Sequence, residues 1–171
     1  IGDNGYTVNP VHGGGMGYAF VAAYHAAKVI EEAAERNDFS ARSLWPLNLA
    51  YVRSIGRRQA SLDIFRVFLQ RLRNEDIEYG LKHGVMNAEQ VYETSATGEL
   101  KANLSVVDKV VLALKLLGRP SLLSRLAVVA EYMKRVSRLY DSYPTSPEGL
   151  GQWVDAVKGL YDEYRQRIGA P

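Results

Sequence analysis

Stretch after stretch of this chain repeats its apolar residues at intervals of three and four, and that period confines it to a mainly α fold. Across residues 15–36, Met16, Ala19, Phe20, Ala23, Ala27, Ile30 and Ala34 recur on one helical stripe, while Lys28, Glu31, Glu32 and Glu35 fall mostly elsewhere. Gly17, Ala19, Ala22, Ala23, Ala26 and Ala27 let another element approach this helix closely. Asn37-Asp38 ends it. A second helix is expected over 43–55, with Pro46 in its first turn, where a missing N–H is harmless. Gly56 breaks or kinks the path before 59–72, whose stripe is Leu62, Phe65, Phe68, Leu69 and Leu72. Short helices are expected at 75–82 and 88–94. Ser105 reads as an N-cap for 106–117, Gly118-Arg119-Pro120 ends that helix, and Pro120 opens another that reaches about residue 140. Tyr143-Pro144 stops it, and Ser146-Pro147-Glu148 starts a final helix ending near Ile168-Gly169. Strand content amounts to a stub at Ile1 at most.

The 171 residues suffice to bury a core. No cysteine is present, which removes disulfides, thiolate metal sites and cysteine nucleophiles. His12, His25 and His83 share no ligand spacing, and no strand–turn–helix context marks a serine nucleophile. Apolar runs such as 110–117 are too short and too interrupted by charge to span a bilayer, and no signal peptide is visible. Ile1-Gly2-Asp3 reads as the end of a buried strand and its turn, so the strand's neighbours are expected in polypeptide outside this chain. The whole carries a formal charge of +2, unevenly placed. Residues 100–138 hold eight basic and two acidic side chains, +6 against −4 elsewhere. Such an excess suits an anionic partner, but no nucleic-acid motif accompanies it.

Chemistry concentrates at the N-terminus, in Gly2-Asp3 followed by Asn9-Pro10-Val11-His12-Gly13-Gly14-Gly15-Met16. Three glycines running into a helix expose backbone N–H groups at the positive end of the helix dipole, a site for an anion or a polar oxygen. Glycine permits close approach of a flat ligand. A dinucleotide fingerprint is excluded: the spacing G-x-G-x-x-G is not met, and Pro10 rules out a central strand before the glycines.

Gly-Asp, a short spacer, then Asn-Pro-x-x-Gly-Gly-Gly opening an Ala-rich helix resembles the second FAD-contacting motif of flavoproteins related to p-hydroxybenzoate hydroxylase. Within them it is most similar to the geranylgeranyl reductase and FixC-like branch, whose members saturate isoprenoid double bonds or pass electrons to quinones. The motif covers residues 1–36; Asn4-Gly5-Tyr6 stands where small residues are usual. The resemblance implies that Asp3 holds the ribityl hydroxyls of FAD. It also implies that the Gly13, Gly14, Gly15 and Met16 backbone faces the flavin pyrimidine edge, and that Pro10 lies beside the isoalloxazine. Donors at that edge would stabilise charge on a reduced flavin.

By the same resemblance the chain is the helical C-terminal part of an α/β FAD-dependent oxidoreductase. Residues 1–36 form the FAD-site loop and following helix, and 37–171 a helical C-terminal domain. The family's N-terminal Gly-rich βαβ unit is not in this sequence, so an N-terminal FAD-binding portion of the same protein is the expected partner. A prenylated lipid and a membrane surface are further expected partners, nucleic acid is not, and a cytoplasmic or peripheral membrane location follows. FAD binding by the chain alone is expected to be weak or absent. The alternatives are a quinone-linked electron-transfer flavoprotein and a stand-alone helical interaction or lipid-binding module.

Overall fold

A computed structural model of the chain describes residues 2–5, 7–85, 111 and 114–169. Its longer helices are α1 (Met16–Glu35), α2 (Ala41–Tyr51), α3 (Arg57–Leu69), α4 (Asn74–Lys82), α5 (Pro120–Asp141) and α6 (Leu150–Ile168). Among the described residues there is no strand, in keeping with a mainly α chain. The expected stub at Ile1, the helix at 88–94 and the Ser105 cap lie outside the described residues. Of the helix expected at 106–117, Val111 and residues 114–117 are described: Val111, Leu114 and Lys115 are helical, and Leu116 and Leu117 already turn away.

The core forms where α3 crosses α5. Ile64, Val67 and Phe68 meet Val129, Tyr132, Met133 and Val136, and α6 closes over them with Leu160, Tyr164 and Ile168. Each fully buried side chain of this size contributes about 1.5–3 kcal/mol relative to exposure. Polar atoms brought inside find acceptors: the Tyr164 hydroxyl donates to the Ile64 carbonyl at 2.8 Å, and Ser61 Oγ donates to the Met133 carbonyl at 3.2 Å. Asp76, 4% exposed, is held by Arg73 and Arg119, each at 3.2 Å.

Local chemistry sets the helix ends. Asn37 adopts a left-handed φ of 50°, a conformation asparagine tolerates, and its N–H donates to the Ala34 carbonyl at 3.0 Å. α2 begins earlier than the proline implies, because Ser40 Oγ accepts the Ser43 N–H at 3.2 Å and so caps it. Pro46 therefore lies inside the helix rather than in its first turn. Gly56 does not break the path either. The backbone runs on from α2 into α3 through a wider π turn, Val52–Gly56, and Gly56 is buried there. A Cβ on it would lie 3.7 Å from the Tyr140 ring.

The largest departure concerns α1. Its buried residues are Ala22, Ala26, Val29 and Ala33, against α2 and the Gly2–Gly5 turn. The stripe Met16, Phe20, Ala23, Ala27, Ile30 and Ala34 faces outward. The helix is apolar on two sides, and periodicity alone does not say which one the chain covers.

Candidate functional site

The Gly-rich loop precedes α1 and is organised by Asn9, which is 1% exposed. The Asn9 N–H donates to the Gly14 carbonyl, and the Gly13 N–H donates to the Asn9 carbonyl, both at 2.9 Å. These bonds close residues 9–14 into a compact ring of backbone. Inside it, Asn9 Oδ1 accepts the Val11 N–H at 2.9 Å and the His12 N–H at 3.3 Å. Its amide nitrogen donates to the Tyr18 hydroxyl at 3.3 Å, which ties the ring to the first turn of α1.

Two of the three glycines have conformational reasons for being there. Gly13 sits at φ +74° with open space where a Cβ would be. A Cβ on Gly14 would lie 2.7 Å from the His12 ring. That ring accepts the Gly14 N–H through Nδ1 at 3.1 Å, an arrangement that requires an unprotonated Nδ1. Gly15 is the N-cap of α1 and offers no side chain to it. The Gly15 carbonyl accepts the first helical bond, from the Ala19 N–H at 2.8 Å. The amides of the first turn, beginning with Met16, therefore have no intrahelical acceptor. Nothing lies within 4 Å of a Cβ built on Gly17, so the surface of the first turn is open at that position.

Among the candidate residues, then, the loop brings Gly13, Gly14, Gly15 and Met16 together at the start of α1. Gly14 already spends its donor on His12. Asp3 belongs to the 3-10 turn Gly2–Gly5, and its side chain lies outside the described residues. Pro10 lines a cleft of about 330 Å³ with Val8, Gln59, Asp63, Tyr140 and Tyr161. In that cleft, burial first and the nearby Asp63 carboxylate second push the Tyr161 hydroxyl well above its ordinary range. Asp63 itself is held by Arg66 at 2.7 Å.

Gln59, on α3, carries no signal in the sequence but reaches the segment before the loop. Its Nε2 donates to the Val8 carbonyl at 3.1 Å, and its Oε1 accepts from the Tyr51 hydroxyl at 3.2 Å. Asn9 carried a clearer signal, since asparagine readily bonds backbone N–H groups two residues on.

The basic stretch 100–138 is largely committed to internal contacts where it is described. Arg119 binds Asp76, Arg125 donates to the Arg71 carbonyl, Arg135 binds Glu163, and Lys115 donates to the Gly84 carbonyl. No group of His, Asp and Glu fit to hold a metal, and no helix long and apolar enough to cross a membrane, occurs among the described residues.

No protein-family model matches the chain. It is 50% identical over 168 residues to a curated protein of Sulfolobus acidocaldarius named digeranylgeranylglycerophospholipid reductase. The alignment takes in 98% of this chain and 37% of that relative, so the chain spans well under half the relative's length.

Proposed function

We propose, from the premise that the chain belongs to the geranylgeranyl reductases and corresponds to a C-terminal part of such an enzyme, that its parent saturates isoprenoid double bonds of a membrane lipid with FAD. The relative's printed name supplies the substrate class and reaction type. The single structural observation supporting a flavin here is the uncapped start of α1, set beside the open space at Gly17.

The donor set suits the group. Backbone N–H groups at a helix N-terminus favour an electron-rich edge, and they need no rearrangement to do so. In this reading Gly15 and Met16 offer amides to the flavin pyrimidine. Gly13 and Gly14 shape the loop that presents them, Asp3 binds the ribityl hydroxyls, and Pro10 walls the side toward the cleft. When bound and reduced, FAD supplies the hydride, and a proton completes the saturated carbon–carbon bond. Residues 1–36 form the flavin-side unit and 37–171 the helical domain that supports it. The remaining contacts to FAD come from an N-terminal portion of the parent, and the lipid substrate brings the protein to a membrane surface.

Two measurements test the reading. The parent protein should copurify with flavin and add hydrogen in pairs to a geranylgeranyl lipid when given a reductant, as read by mass spectrometry. The chain alone should fail to quench flavin fluorescence at micromolar concentrations. Quenching by the chain alone, or a parent that folds without retaining flavin, would overturn it.

A further inference from the structure

The outward face of α1 is apolar, continuous and without a partner among the described residues. Met16 is 82% exposed, Phe20 75% and Ile30 50%, and Ala23, Ala27 and Ala34 lie on the same side. At 100° per residue these six positions span a narrow stripe with no charged residue among them. The opposite pattern holds on the flank, where Lys28, Glu31, Glu32 and Glu35 gather toward the C-terminal half. A helix apolar on two faces is normally buried on both, yet among the described residues α1 packs chiefly on α2 and on the Gly2–Gly5 turn.

We propose that this stripe is the docking surface for the polypeptide that precedes residue 1 in the parent protein. The inference rests on the reading that the parent extends on that side, and it adds where the two parts meet. Three observations select this occupant. The larger part of the matched relative lies outside the aligned 168 residues, which are 37% of it. The stripe starts at Met16, directly after the loop at which the chain enters, so a preceding segment reaches it without crossing the domain. Its profile also suits a packed protein element: small Ala23 and Ala27 form a shallow saddle between Phe20 and Ile30, which lets a backbone come close. Scattered exposed apolar residues need no explanation, but a contiguous patch of this kind marks an interaction surface.

The test uses the parent protein with single substitutions Ala27→Cys and, as a reference on the exposed side of α6, Lys158→Cys. Maleimide labelling is read at each site by peptide mass spectrometry. Ala27→Cys should react at least about tenfold more slowly than Lys158→Cys and regain full reactivity in denaturant, as expected of a site protected by folded structure. Equal rates would overturn the proposal. So would protection of Ala27→Cys that appears only with lipid vesicles, or that is lost on dilution, since those mark a lipid surface or a second copy as the occupant. A variant-free readout accompanies it. Met133 is 9% exposed in this chain, and in the unmodified parent peroxide should oxidise Met16 nearly as slowly as Met133; rapid oxidation of Met16 counts against the interface. Ala27 lies about three turns from the loop, beyond reach of the flavin. Protection persisting in a parent that binds no flavin would leave the interface standing and sink the flavin reading. Bound flavin with a freely labelled Ala27→Cys would do the reverse.

Discussion

Gln59 donates a hydrogen bond from Nε2 to the Val8 carbonyl at 3.1 Å, and this contact ties the Gly-rich loop to α3. The amide is oriented in turn by the Tyr51 hydroxyl on Oε1 at 3.2 Å. A loop that presents backbone donors must be held in place before the ligand arrives, because ordering it afterwards subtracts from binding. Gln59→Leu should cost about 1 kcal/mol of stability and lower flavin retention in the parent by more than that loss explains. Tyr51→Phe, which keeps the amide but frees its orientation, should have a smaller effect in the same direction. Flavin content measured against thermal unfolding of each variant checks this; unchanged retention in Gln59→Leu would show that the tie is dispensable.

Asn9 has the stronger structural role. Its side chain takes two backbone N–H groups, from Val11 and His12, and gives one bond to Tyr18. Removing it leaves those donors, which are only partly buried, without their protein partner, at a cost toward the low end of about 1–3 kcal/mol. Asn9→Ala should lower the unfolding free energy of the parent within that range. Asn9→Asp keeps the acceptor for both amides and should be less damaging than alanine. Denaturant unfolding curves for the pair separate these outcomes, and an alanine variant as stable as the aspartate one would remove Asn9 from the loop's framework.

Gly13 and Gly17 should behave oppositely. Gly13 has φ +74°, where an L side chain costs about 1–2 kcal/mol, so Gly13→Ala should destabilise the protein whether or not flavin binds. Gly17 sits in the first turn of α1 with open space around its missing Cβ. Alanine is the better helix former, and Gly17→Ala should leave the unfolding midpoint at or above that of the unsubstituted protein. If a flat ring approaches this turn, the added methyl should nevertheless weaken flavin binding. Flavin titration of the apo-parent is the deciding measurement, and unaltered affinity in Gly17→Ala would place the ligand elsewhere.

Much of the architecture was readable from local signals. Asn37-Asp38 ends α1, Pro120 opens α5, and Gly169 terminates α6 at φ +78°, as residues with those backbone preferences should. Where the reading slipped, a competing local interaction had won. Ser40 caps α2 with a hydroxyl, overriding Pro46 as the start signal. The turn at Val52–Gly56 absorbs the glycine by widening instead of breaking. In α1 the fault was of another kind: both faces satisfy the helical period, and the more apolar one is not the one that this chain buries. The glycines and the asparagine–proline pair of the candidate site were visible as a motif. Gln59 was not, because a lone glutamine on an amphipathic helix carries no sign of a partner 51 residues earlier.

The clasp between α5 and α6 should show in acid. Arg135 holds Glu163 with two bonds, at 2.8 and 2.6 Å, and lies over the Tyr132 ring at 4.5 Å. That guanidinium, with help from the Tyr132 hydroxyl, pulls the Glu163 carboxyl from its ordinary 4.5 down to about 2. A carboxyl depressed in the folded state contributes stability that is fully present above its unfolded pKa, and it loses that contribution as pH falls toward the folded one. The clasp should therefore act in full above about pH 5 and fade between there and about pH 2. Glu163→Gln removes the titrating group while preserving its shape, so the variant's melting temperature should lie below the unsubstituted protein's at pH 7 and converge with it in acid. Both side chains are substantially exposed, so salt should shrink the neutral-pH gap by screening. A gap that stays constant from pH 7 to pH 2 would mean that Glu163 is not titrating against Arg135, and would leave the polar tie between α5 and α6 to Arg167 on Glu131.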